Sequence, residues 1–380
     1  MKIAILGLAY PFRGGIAHYT ASLAGVLKKK HDVRIYSLAK QYPDLLFPGR
    51  TQYDESENPY RHPAESVLEP LNPVSWKRTA DRITGYGADC IIMQHWNPFF
   101  APCYAAVGFL AGRRNISCAA EMHNVLPHEP TPLDRILLRP LLRISRGFMV
   151  HSRSDASLLS TLAGGRKVIT GFHPRYDHFA RMSASLGRSR AREKLGIEPD
   201  KKLVLYFGLV RAYKGLEDLI AALPLVPVDD GFRVIIAGEF YEDEKLYQRQ
   251  MAESGVQNLI RVENRYIPDE EVADYFRASD VVVLPYRSAT QSGIVQIASA
   301  LGRPVIVTRV GGLPEVVDHG RTGLVVRPND PAAIAGAIRD FFEQNMGPKM
   351  EQNLRNNGQT FTWDELANLW EKLLEDIVNG

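Results

Sequence analysis

Short apolar runs alternate along the chain with longer segments of helical spacing. Strands that alternate with helices in this way indicate parallel sheets covered by helices. In the first half the pattern predicts strands over residues 2–8, 33–38, 90–94, 117–122 and 148–151, a helix over 17–30 and an excursion over 41–75. In the second half it predicts strands over 203–208, 233–238, 259–263, 281–285 and 304–308, separated by helices over 216–223, 242–254, 269–278 and 294–301.

A chain of 380 residues with two such runs is too long for one hydrophobic core and indicates two domains. We place the first domain at residues 1–172 and the second at residues 173–362. Two open α/β domains in tandem make a cleft, and the ligands of such sheets bind beyond the carboxyl ends of the strands. The last segment, 363–380, is amphipathic because its apolar residues recur at helical spacing.

The composition, with 45% hydrophobic and 23% charged residues, is that of an ordinary globular protein. The net charge of +3 conceals an asymmetry: the chain through Gly171 carries 21 Lys and Arg against 13 Asp and Glu, and the remainder is acidic. Three cysteines without C-x-x-C spacing favour a reducing compartment. No apolar run approaches the roughly 18 residues that span a bilayer, and the first apolar run predicts a strand instead of a signal peptide. We therefore expect a cytoplasmic protein.

Residues 284–317 carry the strongest candidate chemistry. A Gly-containing loop over 288–293 opens a helix, and such a loop presents free backbone N–H groups and a positive dipole end to a phosphate or a sugar oxygen. The alternative is an ordinary strand–loop–helix crossover with a glycine hinge. A second candidate is the cation pair Arg211 and Lys214 on a loop after a predicted strand, because two cations at this spacing can close on two phosphates. Its alternative is a solvated loop with two surface cations.

Taken in order, these segments resemble the retaining glycosyltransferases of family 4, which have the GT-B fold. The matching segments are Gly14-Gly15-Ile16, Arg211 and Lys214 before Gly215, the strand that ends at Gly238, the helix and strand over 270–285, and the segments 302–306 and 311–315. The resemblance covers nearly the whole chain. It implies an α/β protein of two Rossmann-like domains that face each other across a cleft, with the segment 363–380 packing back on the N-terminal domain.

The resemblance also implies a function. The C-terminal domain is expected to bind a nucleoside-diphosphate sugar, and the N-terminal domain is expected to bind a glycan or lipid-linked acceptor in surface polysaccharide or glycolipid biosynthesis. A hexose would be transferred with retention of configuration. Enzymes of this family generally need no divalent ion, so we expect no metal and no cofactor, and no nucleic acid among the partners.

The resemblance carries the donor site over to residues of both domains. They are Gly15, Gly208, Arg211, Lys214, Glu239, Tyr266, Ile267, Thr290, Gln291, Ser292, Gly293, Ile294, Val295 and Gln296. Arg211 and Lys214 are also expected to assist catalysis by stabilising the departing diphosphate. The family usually has two glutamates eight positions apart, and this chain has Ser288 and Gln296 there. The amide of Gln296 can still bind ribose, whereas Ser288 cannot replace a carboxylate, so the loop Thr-Gln-Ser-Gly is a candidate for the sugar contacts.

His123 follows a predicted strand and matches a family histidine beside the transferred sugar, so it is a catalytic candidate. It would orient the sugar or, through its backbone carbonyl, stabilise positive charge at the anomeric carbon. The alternative is a hydrogen-bonded loop histidine. Gly14, Asn124 and His128 are candidates for the acceptor. The spacing of His123 and His128 superficially suggests a metal, but Pro127 interrupts a helix and no third ligand is evident.

Residues 133–146 predict a basic amphipathic helix, with its cations on one face: Arg135, Arg139, Arg143 and Arg146. Such a helix is typical of peripheral attachment to an anionic membrane, here the inner face of the membrane. The alternative is a core-packed helix with a solvated Arg face, bent at Pro140. The basic N-terminal half and the family's lipid-linked acceptors favour the membrane.

Two other classes of protein are alternatives to the glycosyltransferase interpretation. A nucleotide-dependent oxidoreductase needs G-x-G-x-x-G after its first strand, and the spacing of Gly7, Gly14 and Gly15 differs. A non-catalytic GT-B scaffold or partner subunit is suggested by the absence of both glutamates. The retained cations Arg211 and Lys214 argue against the scaffold, because a protein without activity needs no phosphate clamp.

Overall fold

The computed structural model describes residues 1–42, 50–127, 129–227, 231–356 and 360–379. The chain folds into two compact units. Unit 1 comprises Met1–Glu55, Tyr60–Pro174 and Phe361–Gly380, and unit 2 comprises Ser56–Pro59 and Arg175–Thr360.

Four residues that the sequence assigned to the N-terminal domain, Ser56–Pro59, belong to unit 2 instead. Hydrogen bonds explain the difference. The backbone N–H of Asp269 donates to Oγ of Ser56 (2.9 Å), and the backbone N–H of Glu57 donates to Oε1 of Glu270 (3.1 Å). Ser56 and Glu57 lie in polar sequence without periodicity, so the pattern of apolar positions held no signal for this pairing.

Unit 1 is built on seven parallel strands in the order β3-β2-β1-β4-β5-β6-β7. They are β1 Lys2–Leu6, β2 Asp32–Leu38, β3 Ala64–Leu68, β4 Cys90–His95, β5 Ser117–Met122, β6 Gly147–Val150 and β7 Lys167–Thr170. Six helices accompany them: α1 Gly15–Leu27, α2 Pro73–Tyr86, α3 Ala101–Gly112, α4 Pro132–Ile144, α5 Arg153–Leu162 and, from the end of the chain, α15 Trp363–Asn379. The order of the strands reverses between β1 and β4.

The central strands of unit 1 are buried on both faces, which explains their nearly continuous apolar sequences. Successive residues of a strand point to opposite faces, so Ala4 and Leu6 of β1 enter one core while Ile3 and Ile5 enter the other. The second core is closed by α15, whose Trp370 is fully buried. Each large side chain buried in this way contributes about 2 kcal/mol to stability.

The final helix α15 is fixed to unit 1 by both packing and hydrogen bonds. A Cβ added at Gly147 of β6 would lie 2.6 Å from Cδ1 of Leu373, so the glycine makes room for this helix. Oγ of Ser117 donates to the carbonyl of Ile377 (2.9 Å), and Nζ of Lys30 pairs with Glu371 (2.9 Å). These contacts place residues of the chain terminus beside the sheet that begins at residue 2.

Unit 2 is built on six parallel strands in the order β10-β9-β8-β11-β12-β13, which is the Rossmann order. They are β8 Lys202–Phe207, β9 Phe232–Ala237, β10 Ile260–Glu263, β11 Val281–Leu284, β12 Val305–Thr308 and β13 Gly323–Val326. The helices are α6 Asp177–Met182, α7 Arg188–Leu195, α8 Leu216–Ala222, α9 Glu244–Glu253, α10 Asp269–Ala278, α11 Gly293–Ala300, α12 Leu313–Val316, α13 Pro331–Glu343 and α14 Gly347–Asn356. The order reverses between β8 and β11, the position where open α/β sheets bind ligands.

Within the described ranges, every helix is too short or too polar to cross a membrane.

Candidate functional site

The loop after β8 in unit 2 presents two cations at the point where the strand order reverses. Residues Ala212–Lys214 form one 3₁₀ turn, in which the backbone N–H of Lys214 donates to the carbonyl of Arg211 (2.9 Å). The guanidinium of Arg211 lies 4.8 Å from the ring centroid of Tyr241, and Nζ of Lys214 lies 5.6 Å from that of Tyr286. Aromatic faces therefore hold both cations in place.

Neither cation has an acidic partner among the residues that the structure describes. Desolvation, and then the positive charge of Arg211, lower the pKa of Lys214 to about 8. The acidic groups next to this turn are already paired, because Arg287 binds Asp218 through two nitrogens (3.0 and 2.7 Å) and Glu217 through a third (2.5 Å). A lysine with this depressed pKa beside a second cation is poised to bind an anion.

A carboxylate that the sequence did not single out shapes this turn. Oε1 of Glu242 accepts from the backbone N–H of Ala212 (2.6 Å), and Oε2 accepts from the hydroxyl of Tyr247 (2.5 Å). Glu242 thus satisfies the first backbone N–H of the turn, that of Ala212, which lies between the two cations in the sequence. Its only sequence signal is an acidic residue after the neighbouring strand, which is too common to identify it.

The loop between β11 and α11 lies against the same turn. A Cβ added at Gly208, whose φ is +103°, would lie 3.4 Å from both Cδ1 of Ile294 and Nζ of Lys214. The turn after β8 and the first turn of α11 therefore meet at Gly208. The first N–H groups of α11, from Gly293 to Val295, have no partner within the helix and point towards its N-terminal end.

Hydrogen bonds fix the polar residues of this loop. The hydroxyl of Tyr286 is hydrogen-bonded to Ser292, which is buried. The backbone N–H of Gly312 donates to the carbonyl of Thr290 (2.8 Å), and a Cβ added at Gly311 would lie 1.8 Å from the carbonyl oxygen of Ala289. The loop is therefore clamped against the turn after β12.

Gln296 of α11 is buried, at 1% exposure, and its amide Nε2 has no hydrogen-bond partner among the described residues. A buried hydrogen-bond donor without a partner carries a desolvation cost of about 1–3 kcal/mol, which a ligand oxygen would remove.

The remaining residues predicted to bind the donor sugar nucleotide lie at the ends of neighbouring strands. The carbonyl of Glu239, after β9, accepts from Val210, whereas Tyr266 and Ile267 follow β10, two strands away from β8.

Unit 1 has its candidate residues at the corresponding strand ends. The backbone carbonyl of Gly14 accepts from Ala17 (3.0 Å) as α1 begins, and Gly15 is the first helical residue. Nδ2 of Asn124 donates to the carbonyl of Trp96 (3.2 Å). His128 lies outside the described residues.

His123 follows β5 and is buried, at 7% exposure. Its backbone N–H donates to the carbonyl of His95 (2.8 Å), and its ring packs edge-on against Tyr19, with centroids 4.6 Å apart. Burial, followed by the charges of His151, His173 and His95, holds the pKa of His123 well below its usual range. His123 is therefore a neutral imidazole at neutral pH.

Comparison with known proteins relates this architecture to one family. The model of the family described as glycosyl transferases group 1 matches residues 187–361. A GDP-mannose-dependent alpha-(1-6)-phosphatidylinositol monomannoside mannosyltransferase of Mycolicibacterium smegmatis is 30% identical over 350 residues, which are 87% of this chain and 86% of that protein. The chain belongs to the group 1 glycosyltransferases.

Other relatives of this glycosyltransferase match over a shorter length. A D-inositol 3-phosphate glycosyltransferase of Streptomyces coelicolor is 30% identical over 191 residues, which are 47% of this chain and 41% of that protein. The chain thus matches about two fifths of the length of that relative. Two solved structures share the fold at low identity. They are the sucrose-phosphate synthase of Thermosynechococcus elongatus (TM-score 0.74, 17% identity, 99% of both chains) and Anabaena HepE in complex with UDP (TM-score 0.72, 18% identity, 99% of this chain and 100% of that one).

These likenesses confirm the α/β fold class, with two Rossmann-like domains of the GT-B type. Within unit 2 of the glycosyltransferase, the structure brings Gly208, Lys214 and Ile294 together, and Ser292 is the N-cap residue of α11, two positions before Ile294. Arg287 and Glu242 are parts of this site that the sequence did not identify.

Proposed function

We propose that this group 1 glycosyltransferase transfers a hexose from a nucleoside-diphosphate sugar to a glycan or lipid-linked acceptor, with retention of configuration, in surface polysaccharide or glycolipid biosynthesis. The observation that carries the proposal is the pair of cations Arg211 and Lys214, beside the N-terminus of α11 where the strand order reverses, neither of which forms an ion pair with a described residue. A diphosphate is the anion that matches two cations and a row of backbone N–H groups.

In the proposed reaction, unit 2 binds the donor. Lys214, Arg211 and the first N–H groups of α11 neutralise the diphosphate as its bond to the anomeric carbon breaks. The amide of Gln296 binds a ribose hydroxyl, and the loop from Thr290 to Ser292 contacts the sugar. Unit 1 binds the acceptor near Gly14 and Asn124, and the neutral His123 lies beside the transferred sugar. The acceptor hydroxyl attacks the anomeric carbon from the face that the diphosphate leaves, and its proton passes to the departing diphosphate.

The relatives support the acceptor class and two candidate donors. The Mycolicibacterium relative is named for GDP-mannose and for a phosphatidylinositol monomannoside, and the Streptomyces relative is named for inositol 3-phosphate. The HepE structure contains UDP. Polyol acceptors and guanine or uracil nucleotides are accordingly the first compounds to test.

A non-catalytic scaffold is the second candidate, because Ser288 and Gln296 stand where the family usually has glutamates. The buried Nε2 of Gln296 favours the enzyme, since a folded protein without a ligand gains nothing from an unpartnered buried donor. Measurements of nucleotide binding and of sugar transfer distinguish the enzyme from the non-catalytic scaffold.

The first experiment is a thermal-denaturation screen with UDP, GDP, ADP and TDP, without metal. All four tryptophans, Trp76, Trp96, Trp363 and Trp370, lie in unit 1, so tryptophan fluorescence does not report on unit 2, and unfolding is followed by far-ultraviolet circular dichroism, which reports on both units. We expect one nucleotide, at 100 times its Kd, to stabilise unit 2 by about 2.7 kcal/mol. For a domain of this size that corresponds to a rise in Tm of roughly 5–10 °C.

The matching nucleoside-diphosphate hexoses are then incubated with inositol and mannoside acceptors, and product is measured. Transfer supports the enzyme, and binding with neither transfer nor donor hydrolysis supports the scaffold. A folded protein that none of the four nucleotides stabilises would contradict the donor site in unit 2.

We also propose that unit 1 binds an anionic membrane surface through α4. The helix packs on the core through Leu138, Leu141 and Leu142, as the alternative interpretation requires, but it also exposes Leu133 and Ile136 by more than half. Its exposed cations Arg135, Arg139 and Arg143 have no ion-pair partner among the described residues. Arg146 was wrongly placed on this face, because it lies beyond the end of the helix and donates to the carbonyl of Ile377 (3.1 Å).

The change of Leu133 and Ile136 to glutamate is expected to abolish binding to vesicles that contain phosphatidylserine, because each change removes apolar area and adds repulsion. Vesicle flotation measures the bound fraction. Leu246→Glu is the matched control, since Leu246 is an equally exposed leucine on α9 of unit 2 (59% against 58% for Leu133). Equal binding of both variants, or no binding of the unaltered protein, would contradict the proposal that α4 binds the membrane surface.

A further inference from the structure

The imidazole of His123 is hydrogen-bonded to a buried amide. Nε2 of His123 lies 2.6 Å from Oε1 of Gln94, which is the penultimate residue of β4 and is fully buried. Because β4 and β5 are adjacent parallel strands, their carboxyl ends bring the two side chains side by side. A bond between two buried groups at this distance restricts the rotation of both.

The other end of the same amide fixes its orientation. Nε2 of Gln94 donates to Oε2 of Glu121 (2.6 Å), and Glu121 is fully buried on β5. A carboxylate oxygen accepts and an amide nitrogen only donates, so the nitrogen of Gln94 must face Glu121 and its oxygen must face His123. An oxygen that only accepts requires a proton on the imidazole atom it meets. His123 is therefore protonated on Nε2.

Glu121 is itself held by groups from two further elements. The hydroxyl of Tyr19, on α1, donates to Oε1 of Glu121. Nε2 of His151, after β6, lies 3.3 Å from the same oxygen, and Nδ1 of His151 is 3.0 Å from the carbonyl of Phe172, to which it donates. Tyr19 and His151 both meet Oε1 of Glu121, so Oε2 is the oxygen that faces Gln94.

A glycine keeps the space that Gln94 occupies. A Cβ added at Gly7, just after β1, would lie 2.5 Å from Cβ and 2.7 Å from Cγ of Gln94. Both atoms belong to the rigid base of the side chain, so any larger residue at position 7 would displace the amide. This contact is independent of the hydrogen bonds and identifies a second position that controls Gln94.

We propose that Gln94 is a positioning residue which, oriented by Glu121, fixes the ring of His123 with its proton on Nε2 and leaves Nδ1 as the acceptor of the ring. The consequence for catalysis rests on the proposed function, in which His123 lies beside the transferred sugar. The predicted tautomer does not rest on the proposed function, because it concerns the protein without any ligand. A fixed tautomer and a fixed ring angle keep the same face of the imidazole and of its backbone towards the sugar throughout the reaction.

Nuclear magnetic resonance of protein labelled with ¹⁵N-histidine tests the tautomer directly. The His123 signal, assigned by its loss in His123→Asn, is expected to show the Nε2–H form in the unaltered protein. Gln94→Met keeps the length of the side chain and removes the amide, so a mixture of tautomers is expected. Thr79→Val is the control, because it removes another buried hydrogen bond of unit 1, from Oγ1 to the carbonyl of Ser75 (2.8 Å), at similar shape.

Kinetics then separate a positioning role from a structural one. In Gln94→Met we expect kcat to fall by about 10–100-fold while the Kd of the nucleotide changes less than about twofold, because unit 2 is untouched. Gly7→Ala, where it folds, is expected to lower kcat in the same way. A pure Nε2–H tautomer in Gln94→Met, or an unchanged kcat, overturns the proposal. If the unaltered protein binds no nucleotide, the proposed function is contradicted, whereas the result for the tautomer remains valid.

Discussion

Lys214→Met is expected to lower kcat/KM for the nucleoside-diphosphate sugar by about 10²–10³-fold, which is the usual loss when one preorganised charge is removed from a developing anion. Methionine keeps most of the stem that lies near the ring of Tyr286 and removes the ammonium group. Since the structure gives Lys214 no acidic partner among the described residues, the lost charge is not one that holds the fold together. Initial rates at varied donor concentration measure the effect.

The same lysine gives donor binding a pH dependence. Its pKa is about 8 in the protein without donor, and a bound diphosphate raises that pKa because the anion favours the charged form. Below pH 8 the lysine is charged in both states, so the Kd is constant. Above pH 8 binding must take up a proton, and the Kd is expected to rise by about tenfold per pH unit up to the pKa in the complex. Lys214→Met should have a weaker affinity without this rise.

Lys245→Met is the matched control, because Lys245 is an exposed lysine on α9 of the same unit. It loses one positive charge from unit 2 and is expected to keep the activity and the pH dependence of the unaltered protein. If Lys214→Met binds the donor as tightly as this control at pH 7, the diphosphate does not lie on the turn after β8.

The apolar pattern predicted the central strands well because they are buried on both faces. The strand predicted over 281–285 is β11, and the one over 304–308 is β12, each within a residue of its observed ends. The strand β3 was missed inside the expected excursion over 41–75. Its sequence AESVL has only one fully buried residue, because it is the edge strand of its sheet, and an edge strand needs no continuous apolar run.

The chemistry of the site could be predicted only where it is local in sequence. Arg211 and Lys214 lie on one turn, so their spacing carried the signal. The network around His123 could not be found in this way, because Tyr19 and Glu121 are 102 positions apart. In addition, Gln94 and Glu121 lie inside strands whose other residues are mostly apolar, and only the adjacency of β4 and β5 turns them into one group.

Gly215→Ala is expected to destabilise unit 2 by about 3 kcal/mol or more and to abolish donor binding. Gly215 has φ +68°, and a Cβ there would lie 2.0 Å from the carbonyl oxygen of Pro285. Because Pro285 is followed directly by Tyr286, moving that carbonyl would move the ring beside Lys214. Backbone cannot yield as a flexible side chain does, so the loops after β8 and β11 must separate.

Gly255→Ala separates this clash from the cost of the backbone conformation alone. Gly255 has the same φ, +68°, but a Cβ there meets nothing within 4 Å, so only the left-handed conformation is penalised, by about 1–2 kcal/mol. Urea unfolding followed by circular dichroism measures both variants, and tryptophan fluorescence, which reports on unit 1 alone, should show the same transition in each. Equal midpoints for unit 2 in the two variants would mean that the contact between Gly215 and Pro285 does not constrain the donor site. A lower midpoint for Gly215→Ala, with nucleotide binding retained in Gly255→Ala, would show that the close approach of these two loops builds the site.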